Sequence, residues 1–203
     1  MDKQVIIAVS REYGSGGHEI AEKLSKRFGL PFYDRNLLDE IATEKKTDGD
    51  SLRQYDEVPR KFLLSRTVRG YSNSPEEIIA QMQFDFLKGK ADKGESFVVV
   101  GRCAEDILKG SPALIPLFIL ADMDTRIKRI EAVRNMTAEE AKAAIYRHDK
   151  KRKSYHNYHC QTKWGDARNY DLCMNSGRLG IDKTADYLEA YIREKMQSTS
   201  LEQ

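Results

Sequence analysis

The sequence lacks most of the features that would assign it a class at once. Its three cysteines, Cys103, Cys160 and Cys173, are too few and too scattered for a disulfide framework. No apolar run approaches the ~20 residues that cross a bilayer, so a membrane protein is not expected. The amino terminus reads as a strand rather than a basic segment followed by a signal-peptide core, which points to the cytoplasm. With 34 basic and 32 acidic side chains the formal net charge is only +2, so any electrostatic function must come from local clustering. No internal repeat is visible. Ser15 has no G-x-S-x-G frame, and His156, His159, Cys160 and Cys173 do not follow the usual zinc-ligand spacing. A serine hydrolase and a metal centre are therefore disfavoured, and aromatic packing with partial exposure explains the histidine and cysteine cluster at least as well as zinc.

What remains is a chain of 203 residues, 40% apolar and 33% charged, long enough for one domain with a substantial core. Strand-like runs occur at 5–10, 97–101, 115–120 and 170–174, with a weaker one at 31–33. Helical stretches separate them, which predicts βαβ units and a parallel sheet buried on both faces. Between residues 36 and 94 the pattern turns polar and mostly helical, with a turn-rich break at 46–51. Ser74-Pro75-Glu76-Glu77 reads there as N-cap, N1 proline and acidic first turn. A second helical segment starts at Thr137, where Thr137-Ala138-Glu139-Glu140 fits a capping box, and runs through the basic stretch 147–153 to Trp164-Gly165-Asp166. The expected organisation is a single domain over 1–203. Its core is 1–35 and 95–203, its helical insert 36–94, and its mobile basic cover about 134–165. The last residues, 197–203, read as a frayed tail.

The most informative stretch is the first. The apolar run Val5-Ile6-Ile7-Ala8-Val9 breaks into Ser10-Arg11-Glu12-Tyr13-Gly14-Ser15-Gly16-Gly17-His18. A helix follows with Ile20, Ala21, Leu24 and Phe28 on one face, stopped by Gly29-Leu30-Pro31. This is the layout of a phosphate-binding turn, in which backbone N–H groups and a helix N-terminus surround an anion. The full P-loop pattern is G-x-x-x-x-G-K-[ST]. Here Arg11 replaces its first glycine, Gly17 its lysine and His18 its hydroxyl residue.

Basic residues elsewhere carry the same theme. Arg102 follows Val98-Val99-Val100-Gly101, at the carboxyl end of a predicted central strand, the edge that faces the ligand crevice in open α/β sheets. Arg126 and Arg129 share a helix face, which fits either a bidentate phosphate clamp or a solvated surface. Asp149 and Arg152 are also three apart, as a surface ion pair or as an aspartate orienting an arginine toward a substrate. The run 147–153 is too interrupted by Asp149, and too isolated, to favour nucleic acid.

These residues resemble the cytidylate kinase-like branch of the nucleoside monophosphate kinases. The likeness runs without a gap from Ile7 to Leu30, through Phe32-Tyr33-Asp34 and Val98-Val99-Val100-Gly101-Arg102. It continues over Asp149-Lys150-Lys151-Arg152 and Trp164-Gly165-Asp166-Ala167, then Tyr170 to Ser176. It implies an α/β P-loop-type three-layer fold with a mostly parallel sheet, an acceptor-binding helical insert and a basic helical lid. It also implies ATP and Mg²⁺, with a small nucleotide such as CMP or dCMP as acceptor. Tyr13, Gly14, Ser15, Gly16, Gly17 and His18 are then the donor-phosphate loop, Arg102 the acceptor-phosphate grip, and Asp149 and Arg152 groups facing the acceptor. Arg126 and Arg129 fall near the lid entrance. No residue is assigned to metal, although Ser15 is the remaining hydroxyl near it. Cys103 stands where true cytidylate kinases have an aspartate.

The missing lysine is a large departure. A unit charge about 4 Å from a phosphate oxygen is worth about 4 kcal/mol at an effective dielectric near 20, roughly a thousandfold in rate. Arg11 is the nearest replacement in sequence. The rival expectations are a nucleotide-binding regulator that kept the fold and lost catalysis, or a kinase of a different small acceptor. Apolar faces in 36–94 leave room for pairing of two copies.

Overall fold

A computed structural model describes residues 3–34, 36–45, 67–68, 71–72 and 74–198. The predicted break at 46–51 and residues 199–203 of the predicted tail lie outside these. Gln197 and Ser198 do not fray; they close the last helix.

In chain order the elements are β1 (Ile6–Arg11), α1 (Gly17–Phe28), β2 (Phe32–Tyr33), α2 (Leu37–Lys45), β3 (Thr67–Val68), β4 (Tyr71–Ser72) and α3 (Pro75–Asp92). There follow β5 (Phe97–Val100), α4 (Ala104–Ile107), β6 (Leu114–Leu120), α5 (Met123–Arg134), α6 (Ala138–His159), β7 (Leu172–Asn175) and α7 (Ser176–Ser198). Five strands form one all-parallel sheet in the order β2-β5-β1-β6-β7. The fold is thus the α/β architecture that the resemblance implies. Stretch 36–94 is not helical throughout, because β3 and β4 make a two-stranded antiparallel ribbon within it.

The sheet is parallel because its strands are apolar on both faces. Ile7, Val9, Val98, Val100, Leu117 and Ile119 pack toward Ile20 and Leu24 of α1 and Leu188 and Ile192 of α7. Ile6, Ala8, Phe97, Val99 and Leu114 pack the other way, on Leu37, Leu38 and Ile41 of α2, Ile79 and Leu87 of α3, and Ala104 of α4. Helix ends follow the local chemistry. Gly29 takes the left-handed conformation (φ 63°) that closes α1. Thr137 Oγ1 accepts from Glu140 N at 3.3 Å while Glu140 Oε2 accepts from Thr137 N at 2.9 Å, so the capping box is real. Ser74 is the N-cap of α3 with proline after it, but its hydroxyl donates to the Glu76 carboxylate rather than capping the backbone.

The topology locates a site. From β1 the chain crosses to β2 on one side, whereas from β5 it crosses over β1 to β6 on the other. Connections that diverge in this way leave a crevice at the carboxyl ends of β1 and β5. Arg11 ends β1, and Arg102 follows β5.

Candidate functional site

The turn between β1 and α1 is held from outside. Arg11 O accepts from Arg152 Nη1 at 3.3 Å, and Glu12 O accepts from Ser15 Oγ at 2.9 Å. Tyr13 O accepts from Arg126 Nε at 2.7 Å, and Gly14 O from Arg129 Nη1 at 2.7 Å. Ser15 O accepts from the hydroxyl of Ser176, at the start of α7. Five consecutive carbonyls are therefore engaged. Gly16 precedes α1 with φ 78°, a left-handed conformation that a residue with a side chain adopts only with strain. The first-turn N–H groups of α1 have no intrahelical acceptor, so the turn offers the crevice donors and a positive dipole end. That is the electrostatic requirement for an anion.

The crevice is a cavity of about 690 Å³. Its lining combines the turn (Tyr13, Gly14, Gly16, Gly17, His18) with Arg11 and Arg102 at the sheet edge. Arg134, His148, Lys151 and Arg152 complete the basic wall, while Glu12 and Asp34 are its acidic members. Gly101, Arg102 and Cys103 are consecutive left-handed residues with φ 76°, 59° and 54°. Two of them are not glycine, a conformation that persists only where the surroundings enforce it. It turns Arg102 into the cavity wall, 3% exposed, with Nη2 donating to Asp34 O at 3.0 Å. The Asp34 carboxylate pairs with His18 Nε2 at 2.5 Å, and that bond, acting against burial, holds its pKa near 2.

The basic residues of α6 divide between the cavity and the solvent side. His148, Lys151 and Arg152 line the cavity, whereas Arg147, Lys150 and Lys153 are exposed. The Tyr13 ring stacks on His148 (centroids 4.2 Å apart, planes 15° off parallel) and has Arg152 Cζ 5.6 Å from its centre. Asp149 turns inward from the same helix. It accepts from Tyr13 N at 2.7 Å and from Arg126 Nη2. Its arginine partner is thus Arg126, not Arg152 as sequence spacing suggested. Arg126 is 5% exposed and also reaches Glu12 Oε2 at 3.2 Å with Nη1. Burial lowers the Arg129 pKa from the usual arginine value. Neither Arg126 nor Arg129 is part of the described cavity lining; both grip the turn's backbone instead.

With this geometry in view, comparison with known proteins is decisive at the level of family. The profile of the cytidylate kinase-like family matches residues 6–178. The chain belongs to the cytidylate kinase-like family. Membership brings ATP-dependent phosphoryl transfer to a small acceptor as its coarse activity. No curated protein matches the chain. Among solved structures, an uncharacterized protein from Eubacterium ventriosum is similar over 94% of this chain and 99% of its own, with 38% identity and a TM-score of 0.75. Shikimate kinase from Bacteroides thetaiotaomicron covers 93% of this chain and 98% of its own at 13% identity and TM-score 0.54. Shikimate kinase from Acinetobacter baumannii, in complex with shikimate, covers 95% of both chains at 11% identity and TM-score 0.54. At those identities the shikimate kinases share the fold with this family member, and nothing finer.

The donor set fits the polyphosphate of the family's ATP, since six basic side chains (Arg11, Arg102, Arg134, His148, Lys151, Arg152) and the amide-lined turn face one space. Magnesium accompanies such a nucleotide on its phosphates. Ser15 does not offer it a ligand: the hydroxyl is fully buried, donates to Glu12 O and accepts from Gly17 N at 3.4 Å. His18, in the hydroxyl position, is paired to Asp34.

A buried network underlies the site. Ser10 Oγ and Tyr170 Oη donate to Glu105 Oε1, each at 3.1 Å, and His156 Nε2 lies 2.9 Å from the same oxygen. Burial alone would lower the His156 pKa, but contacts with Cys160 and Glu105 override it and push it up to about 10. The ion pair ties α6 to the residue preceding Arg11 and to the helix following Arg102. Sequence reading missed this network, along with Glu12, Asp34, Arg134, His148 and Lys151 in the wall. The sheet-edge rule that found Arg102 also covers Asp34, one residue past β2. The spacing of His148, Lys151 and Arg152 puts them on one helix face. Arg134 carried no local signal.

Proposed function

We propose that this protein transfers the γ-phosphoryl group of Mg²⁺-ATP to a small phosphate-bearing acceptor, most simply CMP or dCMP. The observation that carries this is one cavity in which an amide-lined turn and six basic side chains converge. One anion site serves the donor, at the turn. The other centres on Arg102, whose buried guanidinium opens onto the same space from the neighbouring strand and grips the acceptor phosphate. Segment 36–94 receives the acceptor's body, and 134–165 covers the donor, with Lys151 and Arg152 closing on its phosphates. An acceptor phosphate oxygen attacks the γ-phosphorus, the bond to the β–γ bridging oxygen breaks, and ADP leaves. No general base is required, because the attacking oxygen is already anionic and catalysis rests on positioning and charge.

A coupled ADP-release assay across nucleoside monophosphates, with Arg102→Ala alongside, tests this. Turnover with a cytidine monophosphate that falls about 100-fold or more in the variant supports it. Turnover with a different acceptor alone overturns the choice of CMP. Binding of ATP with no turnover on any acceptor overturns the kinase reading in favour of a nucleotide-binding regulator.

A further inference from the structure

Two of the chain's departures from the P-loop pattern touch one another. Residue 11 is arginine where the pattern has glycine, and residue 17 is glycine where it has lysine. A Cβ built on Gly17 would lie 2.6 Å from Arg11 Cβ and 3.1 Å from Arg11 Cγ, with Ile119 Cβ at 3.2 Å. Gly17 is the buried first residue of α1, and Arg11 is the last of β1, registered against Ile119 of β6. The backbones can part only if α1 shifts against the sheet, which the packing of Ile20 and Leu24 on Ile7, Val9 and Ile119 opposes. Nor can rotation of the arginine relieve the overlap, because Cβ is fixed by the backbone whatever the rotamer. A side chain at 17 therefore demands glycine at 11, and a side chain at 11 demands glycine at 17.

We propose that positions 11 and 17 are a reciprocal exchange, in which the donor-phosphate cation has moved from the start of α1 to the end of β1, as Arg11. The inference rests on the phosphoryl-transfer reading above. Arg11 lines the same cavity as Gly14, Gly16, Gly17 and His18, so its charge enters the space enclosed by the turn from the strand side. Its carbonyl is anchored by Arg152, which fixes the root of the side chain. A guanidinium there meets phosphate oxygens as a planar fork rather than as the point charge of a lysine.

The test is a double-mutant cycle read by Mg²⁺-ATP calorimetry, turnover and thermal unfolding. Arg11→Gly is expected to lower kcat/KM by roughly a hundredfold to a thousandfold. Gly17→Lys alone is expected to lose ATP binding. The double variant Arg11→Gly/Gly17→Lys is expected to regain at least about tenfold over either single, a clear non-additivity. Arg11→Ala/Gly17→Lys keeps the offending Cβ and is expected to regain nothing. A readout independent of activity is Gly17→Ala: it lowers Tm by about 4–10 °C with Arg11 present, and by less than about 2 °C in the Arg11→Gly background. Additive Tm effects, or a double variant no better than its singles while wild type binds ATP, overturn the exchange and leave the kinase reading standing. Wild-type protein that fails to bind Mg²⁺-ATP overturns both.

Discussion

Arg126 and Arg129 on α5, and Arg102 and Arg152 on the β5 turn and α6, have the same side chain and belong to one constellation. The first pair ends on the turn's own backbone and on the Glu12 and Asp149 carboxylates. The second pair lines the cavity, although Arg152 also spends one nitrogen on Arg11 O. Helical spacing of three sets which side chains are neighbours; it does not set what stands opposite them. One pair holds the carbonyls of the turn, and the other faces the cavity beside it.

That division can be broken or sharpened by substitution. Arg126→Ala strands two carboxylates around a buried hole and is expected to cost about 3–5 kcal/mol. At about 2–4 °C per kcal/mol for a protein of this size, its Tm falls by roughly 6–20 °C, measurable by calorimetric melting. Arg126→Lys should not rescue it, since three separate acceptors need the guanidinium fork. His156→Gln removes the cation beside Glu105 and is expected to cost about 3 kcal/mol near pH 6. The sign follows from the raised value: with the folded-state pKa near 10 against an ordinary 6.5, the stabilisation is complete below about pH 6.5 and vanishes as pH climbs through about 10. Urea unfolding of wild type and variant should therefore converge with rising pH. A gap that widens instead would mean that His156 is held neutral.

Arg102→Lys keeps the charge and loses the fork, so kcat/KM for the acceptor is expected to fall about 10–100-fold with little change in Tm. If Arg102→Lys unfolded the protein and Arg126→Lys spared it, the roles of the two pairs would be the reverse of those inferred. The smallest effect belongs to Arg147→Ala, on the exposed side of the helix that carries Arg152. It should stay within about 0.5 kcal/mol of wild type and leave turnover unchanged.

Much of the cavity wall is legible in the sequence. The apolar runs gave the five strands of the sheet to within two residues at each end, most clearly β1, β5 and β6, because a strand buried on both faces must be continuously apolar. The glycine-rich turn and Arg102 line the cavity at the sheet edge, where the glycine run and the end of an apolar strand put them in the sequence. Asp149 and Arg126 were each picked out, but their pairing was not, since residues 23 apart on different helices carry no shared local pattern. Arg134 and the Glu105 network were hidden for the same reason.

The sequence by itself determined the parallel α/β core, the place of the glycine-rich turn and the basic character of α6, all consequences of short-range pattern. Tertiary structure alone decided which arginines hold the turn and which face the cavity. It also decided that Arg11 and Gly17 exclude one another's side chains. The physical reason is that charge and shape are spent on whatever stands within a few ångströms, and the packing of β1, α1, α5 and α6 chooses those neighbours from distant parts of the chain.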